Sequence, residues 1–401
     1  MRIIVSLGVC ALLIVSVHCS NPKKDSAQQK ASTQKKVDFK VVNTNSALPQ
    51  SVKSPADNPI TPEKVALGKL LFFDPILSGN KDVACATCHH PDHGYAEFRD
   101  ISIGVNGHGF GSKRNFNKPN DIPFVKRNAH TVLNTAFNGM DMNGQYDPDQ
   151  APMFWDIRAK GLEKQALEPI KAMEEMRGRR FSETEILDEV IKRLNAIPEY
   201  RQLFEVAFEE KAAITISNLG KAIAAFERTL VTNNARFDQF MRGDNGAISI
   251  SEKEGYELFK KVGCINCHNG PMFSDFKMHV LGIPDNDKLP IADSGFEERF
   301  AFRTASLRNL RLTPPYMHNG SFNTLEKVLE FYEDISFGKS RNASVSAENF
   351  DPLIRELNLS VKEMGPIISF LNTLNDPDFD KEIPETVPSK LTAGGNIHIN
   401  E

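Results

Sequence analysis

The sequence predicts a mainly α-helical chain of two domains with long irregular loops, on three observations. Apolar residues recur at helical spacing in several capped segments. No long strand-like run stands out. The stretch Cys85-Ala-Thr-Cys88-His89 recurs as Cys264-Ile-Asn-Cys267-His268. Cys-x-x-Cys-His is the attachment signature of a c-type haem. Two thiols at this spacing can form thioethers to both vinyl groups of one porphyrin, and the histidine then ligates the iron through a neutral imidazole nitrogen. The two copies use four of the six cysteines. A redox dithiol or half of a zinc site is the competing reading of either copy. Zinc would want the dithiols close in sequence or a His-x3-5-His partner, and a thioredoxin-type site would want one motif opening a helix after a strand. The expected fold is therefore two cytochrome c-like haem domains. Cys85, Cys88 and His89 hold one haem c, and Cys264, Cys267 and His268 hold the other.

With 401 residues the chain is long enough for two domains with their own cores. The net charge of -4 is small and mixed in sign. No basic stripe points to nucleic acid, and no acidic block points to a disordered tail.

Met1-Arg2 followed by an apolar run from Ile3 to Val17 reads as an export signal, too short for a spanning helix of ~20 residues. Cys10 and Cys19 lie in it. Cys19-Ser-Asn-Pro-Lys-Lys resembles a lipoprotein processing site, although His18 departs from the usual small residue; an ordinary signal peptide is the alternative. Residues 1–19 are thus expected to be a signal. Residues 20–58, rich in Lys, Ser, Gln, Asn and Pro, are expected to be a flexible linker. Thr61-Pro-Glu-Lys opens a helix with a Thr N-cap and Pro at its first position, continued by Val65, Leu67, Leu70, Leu71 and Phe72. From 90 to about 150 the chain is dense in Gly, Asn, Asp and Pro. Helical patterning returns at 156–168, 183–194, 199–209 and 217–230. Ser251-Glu-Lys-Glu254 reads as a capping box leading to the second haem motif. Leu325, Val328, Leu329 and Tyr332 share one helix face, and a last helix covers about 360–374. The expected domains are 59–240 and 241–376, with the last helix packing on the first domain, followed by a tail at 377–401.

Leu67-Gly-Lys-Leu-Leu-Phe-Phe-Asp-Pro-Ile-Leu-Ser78 precedes the first haem motif. Phe154-Trp-Asp-Ile-Arg158, Leu162-Glu-Lys-Gln-Ala166, Glu175-Met176, Phe226-Glu-Arg-Thr-Leu230, Leu307-Arg-Asn309 and Thr313-Pro-Pro-Tyr-Met-His-Asn-Gly320 follow. Together these resemble the bacterial di-haem cytochrome c peroxidase family, which includes MauG-type enzymes, over about residues 60–375. Ile157 departs from the family's usual Gly in Phe-Trp-Asp-Gly-Arg, which bears on the turn beside the tryptophan.

The resemblance implies a peroxidatic first haem and an electron-transferring second haem. It gives Glu175 the role of acid/base, Gln165 that of its distal amide partner, Pro169 a distal-pocket position, and Trp155 that of a relay between haems. Burial over a haem would raise the pKa of Glu175 toward neutrality. Counting from Thr313, the position where many members carry a methionine ligand to the second iron is Tyr332, the MauG-type pattern; Met317 is the nearby alternative. His108, between Gly107 and Gly109, is either a displaceable ligand of the first iron or a solvent-exposed loop histidine. Asn128, Thr313 and Pro315 match a calcium site. His90, His93, His130 and His318 receive no ligand role.

The function implied is reduction of hydrogen peroxide by a periplasmic enzyme, lipid-anchored if Cys19 is modified. Its donor is a small cytochrome c or cupredoxin, and a homodimer is among the expected assemblies. MauG-type oxidation of Tyr or Trp in a partner protein is the nearest rival. A pure electron-transfer cytochrome is the rival from another class, and it would not need the Trp155, Gln165 and Glu175 set.

Overall fold

A cap side chain accepts a hydrogen bond at the start of four of the eleven α-helices among the described residues. The computed structural model describes residues 45–397, so the expected signal segment with Cys10 and Cys19 lies outside the described residues. Helix α1, Pro62–Phe73, starts as expected, with the Thr61 hydroxyl accepting from Lys64 N. A single helical turn, α2 (Cys85–Cys88), carries the first haem motif. The expected helix at 156–168 is instead a two-residue strand and two short helices, α3 (Leu162–Gln165) and α4 (Glu168–Lys171). A run that short cannot repay helix nucleation alone and is shaped by its neighbours. Helices α5 (Ile186–Ala196), α6 (Pro198–Phe208) and α7 (Ile216–Glu227) lie close to their expected bounds. Helix α8 spans Arg236–Met241. Helix α9, Ile250–Lys261, is capped by Ser249 with Glu252, so the capping box begins two residues before the one read from sequence. Helices α10 (Leu325–Ser336) and α11 (Val361–Leu371) follow. The strands form three antiparallel pairs of two or three residues: β1 (Gly107–His108) with β2 (Asn115–Phe116), β3 (Pro152–Met153) with β4 (Ala159–Lys160), and β5 (Met278–Val280) with β6 (Ala301–Arg303).

Two principal apolar cores result. The first joins α1, α5, α6 and α7 through Leu71, Phe72, Val190, Phe204 and Phe226. The second joins α8, α9 and α11 through Phe237, Tyr256, Phe259, Phe273 and Phe370. The same device brings helices together in both. A Cβ on Gly68 would sit 2.0 Å from the Ala222 carbonyl, and one on Gly255 would sit 2.1 Å from that of Pro366. Only glycine permits these two crossings.

Both cores fall within one compact unit. Residues 45–58, expected to be a flexible linker, are docked: Leu48 packs with Phe137, Met140 and Met272, and Asn45 donates to the Gly270 carbonyl. Leu48 N donates to Asp238, which is itself bidentate to Arg308 at 2.9 Å with both side chains buried. Removing either partner would strand a buried charge, at a cost of about 3–5 kcal/mol. The last helix does not pack on the first core as expected; α11 belongs to the second core. The segment after it returns to the first, where Tyr95 Oη donates to the Asp380 carbonyl, Ser389 binds Asp74, and Val387 is buried.

The irregular stretch after the first haem motif is held by buried arginines. Arg114 donates to the carbonyls of Ile103, Gly104, Gly109 and Asn396, and Arg99 to those of Ile101, Gly111 and Arg114. Charged donors on backbone carbonyls replace the ladders this segment lacks.

Candidate haem sites and the wall between them

The two haem motifs line two separate cavities with matching local geometry. His89 Nδ1 lies 3.2 Å from the Tyr95 carbonyl, and His268 Nδ1 lies 3.0 Å from that of Phe273. Each Nδ1 therefore carries the proton, leaving Nε2 free to ligate. Burial lowers the pKa of both rings, which keeps them neutral. Burial also pushes the Cys85 and Cys264 thiols up to about 12. Each donor set, on the wall of a largely apolar cavity, fits a covalent haem.

The first cavity, about 500 Å³, also contains Trp155, Gln165, Pro169 and Glu175 on its lining, so the structure brings together the set that sequence reading singled out. Gln165 ends α3, and Glu175 sits on a π-helical turn, Met173–Arg177. That turn is gripped from both sides: Val105 N donates to the Glu175 carbonyl (3.0 Å), and Gly79 N donates to that of Met176 (2.8 Å). Such turns are frequent at functional sites because they re-aim a side chain. Burial lifts the Glu175 carboxyl to about 7; Arg158 opposes the shift, while Glu174 and Glu168 add to it. Arg158 is held over the Phe154 ring at 3.6 Å and paired with Asp156. Glu227 lines the same cavity, almost fully buried and lifted by burial to about 8. Arg158 and Glu227 stand inside matched motifs, Phe154-Trp-Asp-Ile-Arg158 and Phe226-Glu-Arg-Thr-Leu230, but neither receives a role from the sequence, since their place on this cavity depends on the fold.

The second cavity is lined by Cys264, Cys267, His268, Tyr332 and Met317, so both candidates for the second iron's far side face it. Burial raises the pKa of the Tyr332 phenol, with the two cysteines adding to the shift. It stays protonated unless a cation holds its oxygen. Asn128, Thr313 and Pro315 also meet on this lining. His108 does not join either lining. It is exposed on β1, and its flanking Gly107 is packed so tightly that a Cβ would lie 2.6 Å from Ile103. Gly107 thus serves a close approach, and His108 stands here as the exposed loop histidine of its two readings.

Eight residues line both cavities: Asn128 to Thr131, Trp155, Arg303, Ala305 and Ser306. Trp155 stands in this wall, its Nε1 donating to the Asn128 carbonyl at 3.0 Å. His130 stacks on it with ring centres 3.9 Å apart, and His318 meets it edge-on at 6.4 Å. Arg303 ties β6 to the wall by donating to the carbonyls of Trp155 and Phe154. Beside the tryptophan, Ile157 adopts φ +52°, the left-handed conformation that glycine takes freely. The turn is thus kept, and the β-branched residue stores strain of about 1–3 kcal/mol in it.

The structure thus has two cavities, each lined by one Cys-x-x-Cys-His motif, with a buried carboxyl on one lining and an aromatic wall shared by both. Consistent with this, a profile of the di-haem cytochrome c peroxidase family matches residues 62–246. The chain is 36% identical over 374 residues to the methylamine utilization protein MauG of Methylorubrum extorquens, covering 92% of this chain and 93% of that one. It is 35% identical over 340 residues to the cytochrome c551 peroxidase of Nitrosomonas europaea, covering 82% and 86% respectively. Among solved structures, a MauG-like protein associated with microbial copper homeostasis superposes with a TM-score of 0.65 at 27% identity, covering 82% of this chain and 95% of that one. The chain belongs to the di-haem cytochrome c peroxidase family, a family of haem oxidoreductases.

Proposed function

We propose that this protein reduces hydrogen peroxide to water in the periplasm, with electrons from a small cytochrome c or cupredoxin. The observation that carries this reading is the single cavity in which His89, Trp155, Gln165 and Glu175 converge. An electron-transfer cytochrome needs no proton-accepting group over one haem. The cytochrome c551 peroxidase relatives support the same activity. No helix among the described residues is long and apolar enough to cross a membrane. Export and lipid attachment rest on the first 19 residues, and calcium rests on Asn128, Thr313 and Pro315.

Bound haem would supply an iron with an open position for peroxide at the first site and a one-electron store at the second. The chain's residues do the rest. His89 and His268 would hold the two irons through their Nε2 atoms. Glu175, its carboxyl lifted by burial to about 7, would take a proton from one oxygen of peroxide and return it to the other, so that water leaves. Gln165 orients peroxide through its amide. Two electrons and two protons per peroxide complete the reduction to two waters, and Trp155 carries electrons across the wall. Peroxide-dependent oxidation of a reduced small cytochrome or cupredoxin, followed optically, tests the reading. No turnover with either donor class would overturn it.

Trp155→Phe should keep both haems, since the phenyl ring fills most of the indole's space. Inter-haem transfer followed by stopped-flow after peroxide addition should slow at least ~10-fold, a barrier change of only ~1.4 kcal/mol. An unchanged rate would remove Trp155 as the relay.

Tyr332 on the second cavity favours one second reading, MauG-type oxidation of Tyr or Trp in a partner protein, and the MauG relatives support it. Peroxide consumption without donor oxidation, accompanied by a changed Tyr or Trp in a partner, would select it.

A further inference from the structure

The wall between the cavities holds an unassigned residue in face contact with Trp155. The His130 ring lies nearly parallel to the indole, 25° between planes with centres 3.9 Å apart, and borders both cavities. Its Nε2 lies 3.5 Å from Arg303 Nη2, so the guanidinium fixes the ring's edge while its face lies on the indole. The indole also meets His318 edge-on and donates to the Asn128 carbonyl.

These contacts decide what oxidation of Trp155 would leave behind. Its Nε1 proton points at a backbone carbonyl, which is not a base in this pH range, so losing one electron leaves a cation and not a neutral radical. Arg303, donating through its backbone and side chain on the same stretch, makes that cation harder to form. A neutral π face in contact with the indole opposes this by attracting positive charge.

We propose that His130 is a positioning residue for electron transfer, its imidazole face stabilising the singly oxidised Trp155 between the two haem sites. The proposal rests on the relay reading of Trp155 above. The step is balanced. Trp155 gives one electron toward the first site, where peroxide supplies the oxidising equivalent, keeps its Nε1 proton, and regains one electron from the second site. No bond forms or breaks.

The test uses the full-length, haem-loaded protein and measures inter-haem electron transfer by stopped-flow, with freeze-quenched EPR for an oxidised tryptophan. His130→Leu fills the site without a π face and should slow transfer about tenfold, with a matching loss of the tryptophan signal. His130→Phe restores a π face and should keep the rate within about threefold of wild type. In a Trp155→Phe background, His130→Leu should change nothing further, because its effect runs through the indole. Haem content by intact mass checks each variant, and His130→Asn replaces Leu if that variant loses haem. Equal slowing in both backgrounds, slowing by Phe as large as by Leu, or no slowing at all would overturn the proposal. If Trp155→Phe alone leaves transfer unchanged, the relay reading fails first.

Discussion

Glu175→Gln is expected to slow the peroxide reaction by ~10²–10⁴-fold, the usual worth of a positioned general base. Both haems should stay in place, because glutamine matches the shape of the side chain and the π-helical turn is held by its backbone bonds to Val105 and Gly79. Glutamine cannot accept the peroxide proton. The pH profile gives an independent signature. The Glu175 carboxyl is lifted by burial to about 7, so the base form accumulates as pH rises through 7 and the wild-type rate should rise with it. Below that point the carboxyl is protonated and the rate should fall about tenfold per pH unit. The variant should lose this acid limb. Activity within a factor of a few of wild type would show that another group moves the proton, and Glu227, the other buried carboxyl on that lining, would be the first to examine.

Replacing Tyr332 with Phe should change the second haem more than any other single substitution outside its attachment motif. The ring keeps its place on the apolar face of α10, so packing with Phe331 is retained and only the oxygen is lost. A phenolate is anionic and hard, and it favours the higher charge state of iron. Its removal should raise the second site's reduction potential by on the order of 0.1 V or more, within the range that axial ligands command. The EPR spectrum of the second haem should change with it. If spectrum and potential are both those of the wild type, Tyr332 only extends the stripe of Leu325, Val328 and Leu329, and Met317 on the same lining becomes the ligand to test.

Much of this molecule follows from local chemistry, which a sequence displays. The haem motifs are five-residue units whose function is set by spacing alone. The caps at Thr61 and Thr324 and the amphipathic period of α5, α7 and α10 act within one or two turns, so those helices lie where they are expected. Matching motifs carried Trp155, Gln165 and Glu175 to one cavity for the same reason. The failures share the opposite cause. Residues 45–58 have a linker's composition, yet docking against Asp238 and Phe137, far away in sequence, repays their ordering. The helix expected at 156–168 gives way to a strand and two short helices where the Glu163 carbonyl packs against Gly220 of α7.

The sequence by itself displayed two haem-attachment motifs, a mainly helical pattern and the family motifs that carry Trp155, Gln165 and Glu175, because each is written within a few residues. Only the tertiary structure decided that the two cores form one unit, that Ile157 holds a left-handed turn, and that His130 lies face to face with Trp155. Those depend on contacts between segments that no local pattern encodes, brought together when the chain closes a wall between two cavities.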